Sequence, residues 1–439
     1  MIVMKFGGTS VESAEAIARV AGIVKARLAQ KPVVVVSAMG KTTNKLLEIA
    51  NRAAEGELNA AIEDLEDLRQ FHLRESVNCD AEINAHFDQL KDLVKGLAIM
   101  GELTPRAIDA VSAFGERLSS LIVTEQFKSC GIDAAHVDSR EVIVTDRRHT
   151  QAAPLFAETN AKLASIIPEL ARQYVPVMGG FIASSADGVT TTLGRGGSDY
   201  TASIVGAGIG AEEIQIWTDV DGMLTADPTI FPGGHRVETC SFAEAAELAY
   251  FGAKVLHPAT VLPAIEKNIP VRILNSRRPE VEGTLIVSDP PPASTPIRSI
   301  ACKRNITLVN IVSSRMLMAH GFLRRIFEIF DRHETPVDML ATSEVSVSLT
   351  VDSTRALDAI RTEIEEFAEV SIEQDHGIVC LVGENIRGCP EVSARAFKAL
   401  GNIKTRMISQ GASQLNISMV VAARDLTRAV ESLHREFFG

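Results

Sequence analysis

A chain of 439 residues is too long for one ordinary hydrophobic core, so two or three domains are expected. Hydrophobic residues make up 46% and charged residues 23%, a globular rather than disordered composition, and a net charge of −12 argues against a basic face for nucleic-acid phosphates. The six cysteines (Cys79, Cys130, Cys240, Cys302, Cys380, Cys389) form no CxxC pair, so reduced, mostly buried thiols are expected rather than a zinc site or a disulfide framework. No apolar stretch approaches the ~18 residues of a membrane span, and the N-terminus lacks the regions of a secretory signal. A cytoplasmic protein with neither membrane nor nucleic-acid partners is the expectation.

The first 290 residues alternate short β-branched runs with helical periodicity, the pattern of an α/β fold with a mainly parallel sheet covered by helices. Strands are expected at Ile2–Phe6, Pro32–Val36, Val175–Gly179, Ile214–Thr218 and Val271–Asn275. Helices are expected where Ile17, Val20, Val24 and Leu28 share a face, and at 198–209 and 242–251. Residues 46–100 are charged, alanine- and leucine-rich and nearly free of turn signals, as a helical insertion would be. Prolines then crowd residues 289–296, where no helix or central strand can continue, and 291–297 is read as the linker that ends a domain spanning 1–290.

Beyond the linker, residues 327–351 repeat as 397–421 at a constant offset of 70, with five of the 25 positions identical. The closest stretch sets Ser343 to Leu349 against Ser413 to Met419, both alternating apolar with polar residues. A helical segment follows each, at 355–367 and 426–437. Two small α+β modules of like design are expected.

Phosphate is bound by closely approaching backbone N–H groups, so glycines between a strand and a helix are a natural cradle. Lys5-Phe-Gly-Gly-Thr-Ser10 supplies one with a cation, and Gly194-Arg-Gly-Gly-Ser-Asp199 supplies a second before another helix. Together they suggest one anionic ligand held from both sides. Two familiar nucleotide motifs fail: Gly40-Lys41-Thr42 has Val35 where a Walker loop needs glycine, and Gly206-Ala-Gly-Ile-Gly-Ala211 ends a helix instead of following a strand.

With Ser37-Ala, Thr43-Asn44, Phe114-Gly-Glu116, Thr192 to Thr201, Trp217-Thr-Asp219 and Gly252 to Pro258 following in order, the chain resembles the aspartokinases of the amino-acid kinase superfamily over essentially its whole length. The resemblance implies an amino-acid-kinase fold followed by two ferredoxin-like ACT domains, at 314–381 and at 298–313 with 382–439. It also implies transfer of the ATP γ-phosphoryl group to the side-chain carboxylate of aspartate. A carboxylate is already ionised at neutral pH, so the chemistry needs alignment and charge neutralisation more than a base. Lys5 and Asp199 are the catalytic candidates. Lys5, Phe6, Gly7, Gly8, Thr9, Ser10, Thr218, Asp219, Leu224, Lys254 and Val255 match nucleotide positions, though Leu224 and Thr229 depart from the tyrosine and arginine often found there. Ser37, Thr43, Glu116, Arg195, Gly196, Gly197 and Ser198 match the acceptor's site, with Arg195 able to clamp a carboxylate and Glu116 to take the ammonium. Mg²⁺ is expected with ATP, without an assigned ligand. His257, before a proline, reads as a helix start.

The tail resembles the lysine pocket of lysine-sensitive aspartokinases at Met316, Ala319, Phe322, Leu323, Val337, Asp338, Ser343 and Glu344. Ala319 replaces a frequent serine. Asp338 and Glu344 could receive the two ammonium groups of lysine as an allosteric inhibitor. A homodimer through the ACT domains, or a dimer of dimers, is implied, and no fused homoserine dehydrogenase is expected. The alternatives are another amino-acid kinase, such as one acting on acetylglutamate, and a catalytically silent amino-acid sensor.

Overall fold

Two five-residue strands, β1 (Ile2–Phe6) and β2 (Pro32–Val36), are buried along their whole length and pair in parallel, as near-continuous apolar runs do in a sheet covered on both faces. The structure, a computed structural model, describes residues 1–251, 258–291, 295–313 and 320–439. The chain divides into one unit of residues 1–223, 238–242 and 255–290, and another of 224–237, 243–254 and 291–439.

In the first unit follow β3 (Ala134–Val137), β4 (Val144–Thr145), β5 (Val175–Gly179), β6 (Ile182–Ser185), β7 (Thr190–Thr192), β8 (Glu213–Thr218), β9 (Thr239–Ser241), β10 (Val271–Asn275) and β11 (Thr284–Val287). The main sheet has the order β3-β5-β2-β1-β8-β10-β11-β9, and β4-β6-β7 form a small second sheet. The strands from β3 to β10 in that order pair in parallel, while β11 runs antiparallel to β10. From β1 the chain builds outward through β2, then returns to β8 on the other side. That reversal opens a crevice beyond the carboxyl end of β1, where parallel α/β sheets hold ligands.

Three helices, Thr42–Ala54, Leu58–Arg74 and Asp80–Met100, occupy the expected insertion. Leu65, Leu68, Ile83, Phe87, Leu90 and Val94 are buried in one core with Ile17, Val20 and Val24 of the helix Ala14–Lys25. His72 is fully buried among them, its Nδ1 2.8 Å from the Leu68 carbonyl, and burial pushes its pKa down to about 4. It is a neutral core histidine. The glycine run at 206–211 closes the helix Gly197–Ile209, with Gly210 in the left-handed conformation as its C-cap.

The second unit carries β12 (Ser299–Val312), β13 (Met339–Thr342), β14 (Ser346–Val351), β15 (Glu369–Val382), β16 (Thr405–Gln410) and β17 (Asn416–Ala422). They form one antiparallel sheet of order β13-β14-β12-β15-β17-β16. The 70-residue offset carries Ser346, the first residue of β14, onto Asn416, the first of β17, and the helix Leu357–Glu365 onto the helix Leu426–Phe438. Each repeat has its own core. One gathers Ile326, Phe330, Leu349, Ile360 and Ile364; the other Val379, Leu381, Met419, Val430 and Leu433. The two 14-residue strands run through both: residues 307–312 of β12 pair with β14, whereas 299–303 pair with residues 378–382 of β15.

Candidate active site

Phe6 and Trp217 stack in the core with ring centroids 5.8 Å apart, so the ends of β1 and β8 are fixed side by side. The chain then leaves the sheet at Gly7, whose N–H donates to the Trp217 carbonyl at 3.1 Å. Gly8 follows, and a Cβ there would lie 2.9 Å from the Ala38 oxygen and 3.0 Å from the Gly40 oxygen. Only glycine lets these two turns meet. Gly40 N–H in return donates to the Gly8 carbonyl at 3.1 Å.

Above the two turns lies a cleft of about 330 Å³. Its walls include Lys5, Gly8, Ser37, Thr43, Glu116, Gly194 and the residues Gly196 through Asp199. Lys5 Nζ sits 2.7 Å from Asp199 Oδ1, both side chains mostly buried. Glu116 is 4% exposed; its Oε1 accepts from Ala38 N–H at 3.2 Å, while its Oε2 is buried without a hydrogen-bond partner among the described residues. Burial raises its pKa to about 8, against the opposing pull of the Ala38 N–H and the Lys5 charge. Glu116 is therefore mostly neutral at pH 7, and a cation brought against it would favour its ionised form.

Gly194 and Gly196 both have positive φ (75° and 72°) and bracket Arg195. Two non-glycine residues beside this turn, Thr150 and Phe181, also have positive φ (70° and 65°), strain of order ~1–3 kcal/mol each that the surrounding packing must hold. Arg195 is exposed, does not line the cleft, and makes no hydrogen bond or ion pair with any described residue. Among the described residues its guanidinium is uncommitted.

The structure thus brings Lys5, Gly8, Ser37, Thr43, Glu116, Gly196, Gly197, Ser198 and Asp199 around one space, with Arg195 in the turn that borders it. Other expected residues have different surroundings. The Phe6 side chain is committed to the core. Thr9 is exposed, while Ser10 is buried with its Oγ 2.8 Å from Ser276 Oγ, which donates to the Thr218 carbonyl at 3.1 Å. Thr218 hydrogen-bonds the exposed Asp219 at 3.3 Å. Leu224 belongs to the second unit, its carbonyl accepting from Ser299 Oγ at 2.7 Å. Lys254, Val255, His257, Met316 and Ala319 lie outside the described residues. Sequence reasoning missed Ser276 and Phe181. Ser276 follows β10 at the ligand-bearing edge and was findable there; Phe181 carries no motif.

In the second unit, Lys303 Nζ lies 2.6 Å from Asp338 Oδ1 and 2.9 Å from Asp352 Oδ2. Burial lowers the pKa of this ammonium, but its two carboxylate partners more than offset that and hold it above the usual lysine range. Asp338 Oδ2 is buried without a partner among the described residues. Val337 and Phe322 pack on the adjacent core, Phe322 edge-on to Phe367. Leu323, Ser343 and Glu344 are exposed, Ser343 hydrogen-bonding Ser346. Glu344 has no partner among the described residues.

Comparison with known proteins places these features in context. Residues 1–275 match the amino acid kinase family, and residues 309–367 and 379–437 match the ACT domain. The chain is 39% identical to chloroplastic aspartokinase 2 of Arabidopsis thaliana, over 99% of this chain and 84% of that one. It is 36% identical to lysine-sensitive aspartokinase 3 of Escherichia coli, over 100% and 99% of the two. The structure of E. coli aspartokinase III in complex with lysine and aspartate superposes with a TM-score of 0.87 at 35% identity, covering all of both chains. Its complex with aspartate and ADP gives 0.83, again at 35% identity over all of both chains.

Proposed function

Because the chain belongs to the aspartokinase family, we propose that its cleft transfers the γ-phosphoryl group of ATP to the side-chain carboxylate of L-aspartate, giving 4-phospho-L-aspartate. The observation that carries the reading is the pairing, in one cleft, of the Lys5 ammonium with a buried, half-satisfied Glu116 carboxyl. One suits a transferring phosphoryl group and the other a free α-ammonium.

A carboxylate oxygen of aspartate attacks the γ-phosphorus, the bond to the β,γ-bridging oxygen breaks, and ADP leaves. Both reactants are anionic, so the task is neutralisation of charge spread over the phosphoryl oxygens. Lys5 supplies the cation, oriented by Asp199, and the Gly7 to Ser10 turn the close backbone approach. Thr218 and Asp219 are assigned to the nucleotide, as are Lys254 and Val255 by family likeness alone. Arg195 clamps the acceptor's α-carboxylate, Glu116 receives its ammonium, and Ser37, Thr43 and Ser198 complete the acceptor's wall. Mg²⁺, entering with ATP, would supply further positive charge at the phosphates, with no ligand assigned to it in this chain. Among the described residues no group of three acidic, imidazole or thiol side chains is gathered to hold a metal ion.

The proposal extends to regulation and assembly. L-lysine inhibits by binding at Asp338, and two chains pair through their ACT sheets, whose edge strands β13 and β16 carry the exposed apolar residues Leu340 and Ile408. Catalysis is assigned to residues 1–290. A reducing, cytoplasmic setting suits six free thiols. No described helix is long and apolar enough to cross a membrane.

The deciding experiment is an ATP-dependent hydroxamate assay with aspartate, acetylglutamate and glutamate as acceptors. Product with aspartate alone supports the reading. Preference for acetylglutamate, which has no free ammonium, or no product at all, overturns it.

A further inference from the structure

Asp109, on the helix Pro105–Ser112, is wholly excluded from solvent and does not line the cleft, yet it gathers hydrogen bonds from two segments beside it. Its Oδ1 accepts from Thr192 Oγ1 at 2.6 Å and from Thr150 N–H at 3.0 Å, and its Oδ2 lies 2.7 Å from His149 Nδ1. Thr192 ends β7, two residues before Gly194, and its carbonyl accepts from Ala152 N–H at 2.9 Å. One carboxylate therefore ties residues 149–150 to the strand that launches the Arg195 turn.

Residues 150 and 151 pack closely beside that turn. A Cβ on Gly194 would lie 3.0 Å from the Thr150 oxygen and 3.3 Å from Gln151 Cγ. Thr150, a β-branched residue at φ 70°, is in a conformation it would not adopt unaided, and its N–H is the donor Asp109 holds. A change in the Thr150 backbone therefore shifts the carbonyl that packs beside Gly194.

We propose that Asp109 is a positioning residue for the acceptor: through Thr150 and Thr192 it fixes the Gly194–Gly196 turn, and with it the direction from which Arg195 meets the α-carboxylate of aspartate. The proposal rests on the reading of Arg195 as that clamp. It separates Asp109 from the many buried polar groups that only stabilise the fold, because its effect is carried by one binding side chain.

The test is steady-state kinetics on the full chain with Asp109→Asn, Arg195→Gln and their combination. Asp109→Asn is expected to raise the KM for aspartate about tenfold or more, as small misplacements of a binding group do. Its kcat and its KM for ATP should stay within about twofold, and in the Arg195→Gln background the same change should add less than about twofold. Thr192→Val, which leaves the carboxylate bonded to Thr150 and His149, should raise the aspartate KM by about threefold and covers the case in which Asp109→Asn does not fold. A parallel loss of kcat and of both substrates' affinities, an unchanged aspartate KM in the variant that folds, or full additivity with Arg195→Gln overturns the proposal. An unchanged aspartate KM in Arg195→Gln itself overturns the clamp, and the proposal with it.

Discussion

Lys5 at the end of β1 and Asp199 in the first turn of the helix Gly197–Ile209 form an ion pair of 2.7 Å across the floor of the cleft. Their side chains are only 11% and 15% exposed, so the pair is shielded from the screening that weakens surface ion pairs. Lys5→Ala is expected to lower kcat about 10³-fold, the scale of losing a group that stabilises transition-state charge, while the folded state persists. ADP release and circular dichroism measure the two effects. Near-normal turnover would remove Lys5 from the mechanism.

Gly8→Ala tests the cradle without touching charge. The added methyl must displace the Ala38 or Gly40 carbonyl, both backbone and neither able to swing aside. Stability should fall by about 1–3 kcal/mol, as overpacking does, and the KM for ATP should rise. Urea unfolding and ATP titration read both; a silent substitution would rule out a close meeting of the two turns.

Glu116 gives the protein a pH dependence opposite in sign to that of a surface carboxylate. Its folded pKa of about 8 lies above the ordinary 4.5, so between those values the folded chain holds a proton that the unfolded chain has lost. This contribution to stability is complete below pH 4.5 and disappears as pH rises through 8. Relative to wild type, Glu116→Gln should therefore gain on the order of a few kcal/mol between about pH 5 and pH 9, seen as a difference in urea midpoints. Aspartate's ammonium favours the ionised carboxyl, so its binding near neutrality should release a proton. Calorimetry in two buffers of different ionisation enthalpy detects that release, and Glu116→Gln should abolish it.

Lys303 already presents an ammonium to Asp338, the carboxylate proposed to receive the effector's. A lysine effector must displace it. Asp338→Asn is expected to remove inhibition by lysine while leaving uninhibited turnover intact. Lys303→Met should lower the half-inhibitory lysine concentration several-fold, consistent with coupling energies of ~1–3 kcal/mol. Inhibition curves decide; an unaltered curve in Asp338→Asn would remove the tail site from regulation.

Most of the sheet was legible because its strands are buried on both faces. Ile2–Phe6, Pro32–Val36, Val175–Gly179 and Val271–Asn275 appear at the bounds their apolar runs suggest. The short polar strand β7, Thr190–Thr192, has no such run and carries no periodicity to read. Site residues were legible where glycine or charge marks a turn, as at Gly8 and Gly194. What escaped is the support beneath them: Asp109 sits in an unremarked helix and meets Thr192 from 83 positions away, a relation only the folded chain creates. Nor does sequence tell that Ser10 turns inward to Ser276, since a hydroxyl serves a ligand or a neighbour with equal ease.

The long strands β12 and β15 make the tail a duplication that can no longer be undone. Each repeat contributes its own helices and two outer strands, but both lean on the same pair of central strands. A cut that freed one repeat would strip the other of neighbours and leave it with bare, adhesive edges. The two repeats are therefore one unit of variation, because a change in either must be tolerated by both.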